Sequence, residues 1–231
     1  MKHACEKRVG VLAVCAGAMA LSLAAWRIHA FSYFTYDDTY IFLRYAMNFF
    51  SHGVLGWNIG EAPVEGYTSP FQLLLVMLLH AGGMDLLDPA RAIAFAGYAG
   101  IALALFWALR PFTGGAAALS PVFLALANPA LILWSWGGME VTTTLFLLLL
   151  GHALMLQVLL RPEARMEELA LWSGLVFAIA GLTRLDTLPF AGIAAVFPEA
   201  GPCWAAGRSG GFSARAAPGL PTYCWGRSFP T

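Results

Sequence analysis

Charge is what this chain has least of. Only 11% of its 231 residues are Asp, Glu, Lys or Arg, against 59% hydrophobic residues. So small a polar share excludes a water-soluble globule, whose surface must be covered by groups that water solvates. The formal net charge is zero, so nothing suggests a nucleic-acid surface and no nucleic-acid partner is expected. Cysteine is sparse as well. Cys5, Cys15, Cys203 and Cys224 show neither C-x-x-C spacing nor accompanying histidines, which argues against a zinc site or a dithiol redox motif.

Apolar runs are what the chain has instead. About 20 helical residues cross a hydrocarbon core of about 30 Å, and the first run of that kind is 9–26. It follows Lys2, Lys7 and Arg8, which by the positive-inside rule keeps the N-terminus cytoplasmic and makes the loop at about 27–70 external. A cleaved signal peptide is the alternative, since "LSLAAW" offers small residues at a cleavage site. Further runs follow at 71–79 with its flanks, 92–109, 116–134, 141–160 and 169–197, joined by "GGMDLLDPAR", "RPFTGG", "SWGGME" and "RPEARMEE". These links have the turn and charge content of membrane-surface connections.

The expected fold class is therefore all-α, a polytopic transmembrane helix bundle over 1–197 with an external loop that carries juxtamembrane helices. If every run spans, "RPEARMEE" falls outside, although its arginines favour the cytoplasm. Either one run is re-entrant or half-spanning, with 116–134 the expected one because Pro121 and Asn128-Pro129 interrupt it, or two arginines balanced by three glutamates do not set the topology. Beyond 197 the composition changes to Gly, Pro and polar residues without helical or strand periodicity. The segment 198–231 is expected to be disordered, either as the product of a truncation or frame change in a longer protein or as a genuine tail.

Two adjacent acids open the external loop. In "DDTYIFLRYAMNFF" the positions Ile41, Phe42, Tyr45, Ala46 and Phe49 recur at helical spacing, which predicts a helix lying along the membrane surface. Thr35-x-x-Asp38 matches a capping box, and acids in a first turn favour the helix dipole by about 0.3–1 kcal/mol. That accounts for one carboxylate of the pair. Asp37, Arg44 and Asn48 fall on one helical stripe, either as a solvated polar face or as groups addressing one ligand.

Downstream, "GVLGWNIGEAPVEGYTSPF" brings Glu61, Glu65, Tyr67, Thr68 and Ser69 to the start of the next run. Its plain reading is turn chemistry with an interfacial tyrosine. Arg184 and Asp186 lie inside 169–197, where a charge at a helix centre costs about 2.5–3.5 kcal/mol. Residues at i and i+2 of a helix do not face each other, so on a continuous helix this pair does not neutralise itself. Either the two face a cavity or 181–189 is an interfacial break. His80 and His152 read as packing or interfacial side chains.

The ordered set "YDDTYIFLRYAMNF…GVLGWNIGEAPVEGYTSP", then "NPALILWSWGGMEVTTTLFLLL" and "GLTRLDTLPF", resembles the N-terminal half of C-type (GT-C fold) membrane glycosyltransferases. It looks closest to the bacterial arabinofuranosyltransferase-like members, over about residues 9–197. The resemblance implies transfer of a sugar, arabinofuranose for that subset, from a polyprenyl-phosphate donor to a glycan, lipid-linked or protein acceptor in the cell envelope, with inversion. It implies a bacterial inner-membrane location with membrane-lipid contact and a site facing the periplasm. It further implies that Asp37 or Asp38 is the general base and that Glu65 helps hold the donor phosphate, directly or through a divalent cation, Mg or Ca, shared with Asp38. Glu140 matches a family position without a role.

Chemistry adds Arg44 and Arg184 as candidates for the departing phosphate, with Asn48, Tyr67, Thr68 and Glu140 as candidates for the substrate cavity. Two other readings stand beside the enzyme. One is an inactive fragment that keeps the donor-side acids and lacks later spans. The other is a transporter, for which mid-helix Arg184 and Asp186 are the support.

Overall fold

The computed structural model describes residues 34–62, 64–113, 115–160 and 166–193; the expected span at 9–26 and the tail at 198–231 lie outside them. Every regular element among the described residues is helical. In chain order they are α1 (Asp37–His52), α2 (Pro70–Ala81), α3 (Leu87–Thr113), α4 (Gly115–Leu126), α5 (Pro129–Gly137), α6 (Val141–Leu160) and α7 (Met166–Thr183), followed by a 3-10 turn at Leu185–Thr187. Two helices, α3 and the Val141–Val158 part of α6, are long and apolar enough to cross a membrane.

The start of α1 corrects one expectation. Its N-cap is Tyr36, with no side-chain cap bond, because the Thr35 hydroxyl is taken up as acceptor for Arg91 Nη2 at 3.0 Å. The Thr35–Asp38 capping box does not form. Asp37 and Asp38 occupy the first turn, where the exposed amides favour negative charge, and neither carboxylate is spent as a cap. At the other end Gly53 takes φ 70° and its N–H donates to Phe49 O at 2.8 Å, the left-handed C-cap that glycine suits best.

The second correction is α2. Ser69 caps it by accepting from Gln72 N, Pro70 fixes its first turn, and Gly82 ends it. Twelve residues at about 1.5 Å each reach about 18 Å, short of a hydrocarbon core of about 30 Å. The run at 71–79 packs on one side only: Leu73 and Val76 are buried, while Leu74, Leu78 and Leu79 are exposed. Leu73 and Val76 join Phe42, Leu43, Tyr45 and Ala46 of α1 in one core against Ala90 and Ile93 of α3.

From Leu87 onward the chain runs to and fro. Tyr98 Oη of α3 donates to Leu126 O at the end of α4, and Gly138, past α5, lies against Ala90 and Thr39. The α4–α5 pair thus returns along the length of α3, bent by 59° at its break. Asn128 explains the bend: its side chain caps α5 by accepting from Ala130 N at 2.9 Å, and Pro129 follows as the first helical residue. Pro121 lies inside α4 without ending it. The 116–134 region is therefore a bent pair, either a broken span or the re-entrant path expected of it, and α2 is shorter than a full span.

α6 then runs parallel to α3. Thr142 Oγ1 donates to Ala94 O at 2.6 Å, and Gly97 and Gly100 of α3 meet Thr143 and Phe146 of α6 in register. α7 runs back along α6, with Thr144 Oγ1 donating to Thr183 Oγ1 at 3.0 Å and Ser173 Oγ to Gly151 O at 2.9 Å. Small residues at close crossings and hydroxyl links between helices are the packing devices of membrane bundles, where burying apolar surface gains little. Outward-facing Leu103, Leu124 and Leu171 are 71–75% exposed, an apolar exterior suited to lipid. His80 Nδ1 bonds Met84 O at 2.7 Å, and His152 Nδ1 bonds Leu148 O at 2.8 Å, so both histidines serve local packing.

Candidate functional site

A cleft of about 310 Å³ opens where the start of α1, the start of α2, the α5–α6 link and the end of α7 meet. Asp38, Tyr67, Thr68, Glu140 and Arg184 all line it. These are five of the residues singled out from the sequence, and they come from four separated segments.

Each is placed by its element. Asp38 sits in the first turn of α1, whose register is fixed by the buried Thr39 hydroxyl donating to Gly137 O at 2.8 Å. Tyr67 packs edge-on against Tyr45 at 5.0 Å between ring centres. Glu140 immediately precedes α6, and its carbonyl accepts from Thr144 N at 2.8 Å, so its carboxylate faces the positive end of that helix. Arg184 follows the last residue of α7, where a cation meets the negative end.

The backbone breaks at Arg184, which takes φ −156° and ψ 122°. That break is one of the two alternatives for 181–189, and it frees Arg184 and Asp186 to pair as a continuous helix would not. Off the helix, the guanidinium holds Asp186 through Nε at 3.1 Å and Nη2 at 3.0 Å, and it reaches Glu140 Oε1 through Nη1 at 3.2 Å. The fork with Asp186 does most to keep the guanidinium protonated, and the attraction of both carboxylates adds to it.

Glu140 is the buried member of the set, with a side chain 4% exposed. Burial pushes its carboxyl above the usual range, against a backbone hydrogen bond and Arg184 that pull it down, and the negative charge of Asp38 adds to the rise. A carboxyl that binds protons more tightly when folded takes stability from the fold as pH climbs through the carboxylate range. Glu140→Gln should remove that slope: thermal unfolding in detergent at pH 4 and pH 7 should differ less for the variant than for the wild type. An equal difference in both would show that the buried carboxyl does not govern the slope.

Arg44 and Asn48 are spent elsewhere. Arg44 Nε donates to Trp57 O at 2.9 Å, its Nη2 to Asn58 Oδ1 at 3.0 Å, and its guanidinium lies 4.2 Å from the Trp57 ring centre. Asn48 Nδ2 donates to Gly56 O at 2.7 Å and Trp57 O at 3.1 Å. Two members of the stripe, Arg44 and Asn48, address one target, the chain's own 56–58 loop. Asp37 and Glu65 are exposed and are not among the residues lining the cleft. Among the described residues no three Asp, Glu, His or Cys side chains converge to hold a metal.

Sequence reading missed Trp57 and Asn58. The signal was a tryptophan and an amide in a glycine-rich external loop, a place where neither is needed for a turn. Comparison with known proteins adds no identification: no family model, no curated protein and no solved structure matches this chain.

Proposed function

We propose that this chain is the donor-side part of a polyprenyl-phosphate-dependent membrane glycosyltransferase of the C-type fold, with arabinofuranose as the sugar its motifs imply. The observation that carries the proposal is the convergence of Asp38, Thr68, Glu140 and Arg184 in one cleft at one end of apolar helices. Asp38 accepts the proton of an acceptor hydroxyl as that oxygen attacks the anomeric carbon from the face opposite the phosphate. The bond from that carbon to the phosphate oxygen breaks, and the phosphate leaves with the electron pair.

Arg184 and the starts of α1, α2 and α6, which all border the cleft, oppose the charge the phosphate develops. Asp186, 64% exposed, occupies the guanidinium fork that a phosphate would take and yields it to the donor. Glu140 keeps the remaining arm of Arg184 aimed. This step uses the chain's own side chains; a divalent cation held by Asp38 and Glu65 would add to the positive charge with which Arg184 opposes the phosphate. The charges behind the transporter reading, Arg184 and Asp186, lie at the break between α7 and the helical residues 188–193; the enzyme reading is favoured because Arg184 shares its cleft with Asp38 and Thr68.

α3 and α6 leave the cleft end, while α4–α5 and α7 return to it. Arg110 in the last turn of α3 is matched by Arg91 and Arg184 at the cleft end, so the described helix ends set no bias. Orientation rests instead on Lys2, Lys7 and Arg8 ahead of the 9–26 run, which by the positive-inside rule favour a cytoplasmic N-terminus and a periplasmic cleft, as suits a bacterial inner-membrane enzyme.

The test uses right-side-out proteoliposomes of a form with its native cysteines changed to serine. An impermeant maleimide should label a cysteine at Glu61 and spare one at Phe112. The wild type should retain a polyprenyl-phosphate sugar about tenfold more tightly than Arg184→Ala, the loss of one charged hydrogen-bonding partner. Labelling at 112 alone would reverse the orientation, and equal retention would remove Arg184 from the donor site.

A further inference from the structure

Beside the charged cleft lies a second cavity of about 340 Å³, within the usual size range of small-ligand pockets. The two share Ile41 and Gly66 as a common wall. Their linings differ in kind. Among the described residues no basic side chain lines the second cavity; Trp57 supplies exposed aromatic surface with the buried Tyr45 behind it, and Asn58 and Glu61 supply a planar polar edge.

The aromatic surface is held ready. Tyr45 Oη donates to Val64 O at 2.6 Å and accepts from Gly66 N at 2.8 Å, so its hydroxyl is committed, and its fully buried ring backs the cavity wall 6.0 Å from the Trp57 ring, centre to centre. Trp57 is fixed through its carbonyl by Arg44 and Asn48 and through its ring by the Arg44 guanidinium, and it remains 37% exposed. Asn58 Nδ2 donates to Glu61 Oε2 at 2.8 Å, which orients a carboxylate and an amide side by side. The carbon-bound hydrogens on the faces of a sugar ring carry partial positive charge and suit the negative face of an indole. Its hydroxyls suit planar carboxylate and amide acceptors. A phosphate would meet Glu61 and find no cation among the lining residues.

We infer that this cavity is the acceptor subsite, taking a neutral, hydroxyl-rich saccharide and presenting one hydroxyl past Ile41 and Gly66 to Asp38. The inference rests on the glycosyltransferase reading for the reaction, but not for the binding. It gives Arg44 and Asn48 a positioning role, since they hold the loop that carries Trp57.

The test is saturation-transfer NMR on the full chain in nanodiscs, with methyl glycosides of neutral pentoses and hexoses as probes. At least one glycoside should bind the wild type, Trp57→Ala should weaken it by about tenfold, and Trp57→Phe should recover most of the loss. If Trp57→Ala loses helical circular dichroism, Glu61→Ala decides in its place, since Glu61 is exposed, and it should also weaken binding about tenfold. No binding by any probe, or binding insensitive to both alanine variants, overturns the subsite. Donor-free binding also separates the two proposals. Trp57-dependent saccharide binding by a chain that retains no polyprenyl phosphate keeps the subsite and removes the transferase, and donor retention without it does the reverse.

Discussion

Asp38→Asn should lower sugar transfer by about 10²–10⁴-fold, the usual contribution of a positioned general base, while Asp37→Asn should change it by no more than about fivefold, the weight of a first-turn dipole interaction. The difference comes from placement. Both acids are exposed and both stand in the first turn of α1, but only Asp38 lines the cleft that also holds Glu140 and Arg184. The asparagine keeps the shape and cannot take a proton at neutral pH, so donor retention should survive in Asp38→Asn while turnover does not. Transfer of labelled sugar from a polyprenyl phosphate, measured beside donor retention, checks both parts. Equal losses in the two variants would mean that the pair acts through charge alone, and full activity in Asp38→Asn would end its assignment as the base.

The second large effect is structural, and its sign is the test. Alanine ordinarily stabilises a helix interior by about 0.5–1 kcal/mol over glycine. At Gly174 of α7 a methyl group meets nothing within 4 Å, so Gly174→Ala should follow that rule. At Gly97 the same methyl group would come within 2.5 Å of Thr143 N and 2.7 Å of Thr143 Cα. Backbone cannot rotate out of the way, so α6 has to shift, and Gly97→Ala should cost about 1–3 kcal/mol as an overpacked site does. Because Thr142 and Thr143 lead directly out of Glu140, that shift should also weaken donor retention. Unfolding by denaturant in mixed micelles reads the stabilities; a Gly97→Ala chain as stable as Gly174→Ala would contradict the close α3–α6 contact.

Hydropathy made the helices legible, and most run boundaries fall near the observed ends. It overcounted at 71–79, since a count of apolar residues does not register that Ser69, Pro70 and Gly82 confine α2. The capping box failed for a different reason: the competitor for Thr35, Arg91, is 56 residues away, and local pattern carries no information about it. The Arg44 and Asn48 stripe was visible as a stripe, but not that its target is the loop at 56–58. Glu140 and Arg184, 44 residues apart, became partners only because α7 runs back along α6. Asp38, Tyr67 and Thr68 were found from motif order and share the cleft, whereas the neighbouring aromatic cavity was hidden in what read as a turn-forming segment.

The helical break at Arg184 also sets a timetable. Synthesis delivers Asp38 first, then Thr68, then Glu140, and the guanidinium last, once α7 has been threaded back to the cleft end. Until that moment Glu140 has no arginine beside it, and its burial favours the neutral acid. Arrival of Arg184 then sets a cation 3.2 Å from that carboxyl and completes the lining of the cleft. The cleft is whole only when α7 is in place.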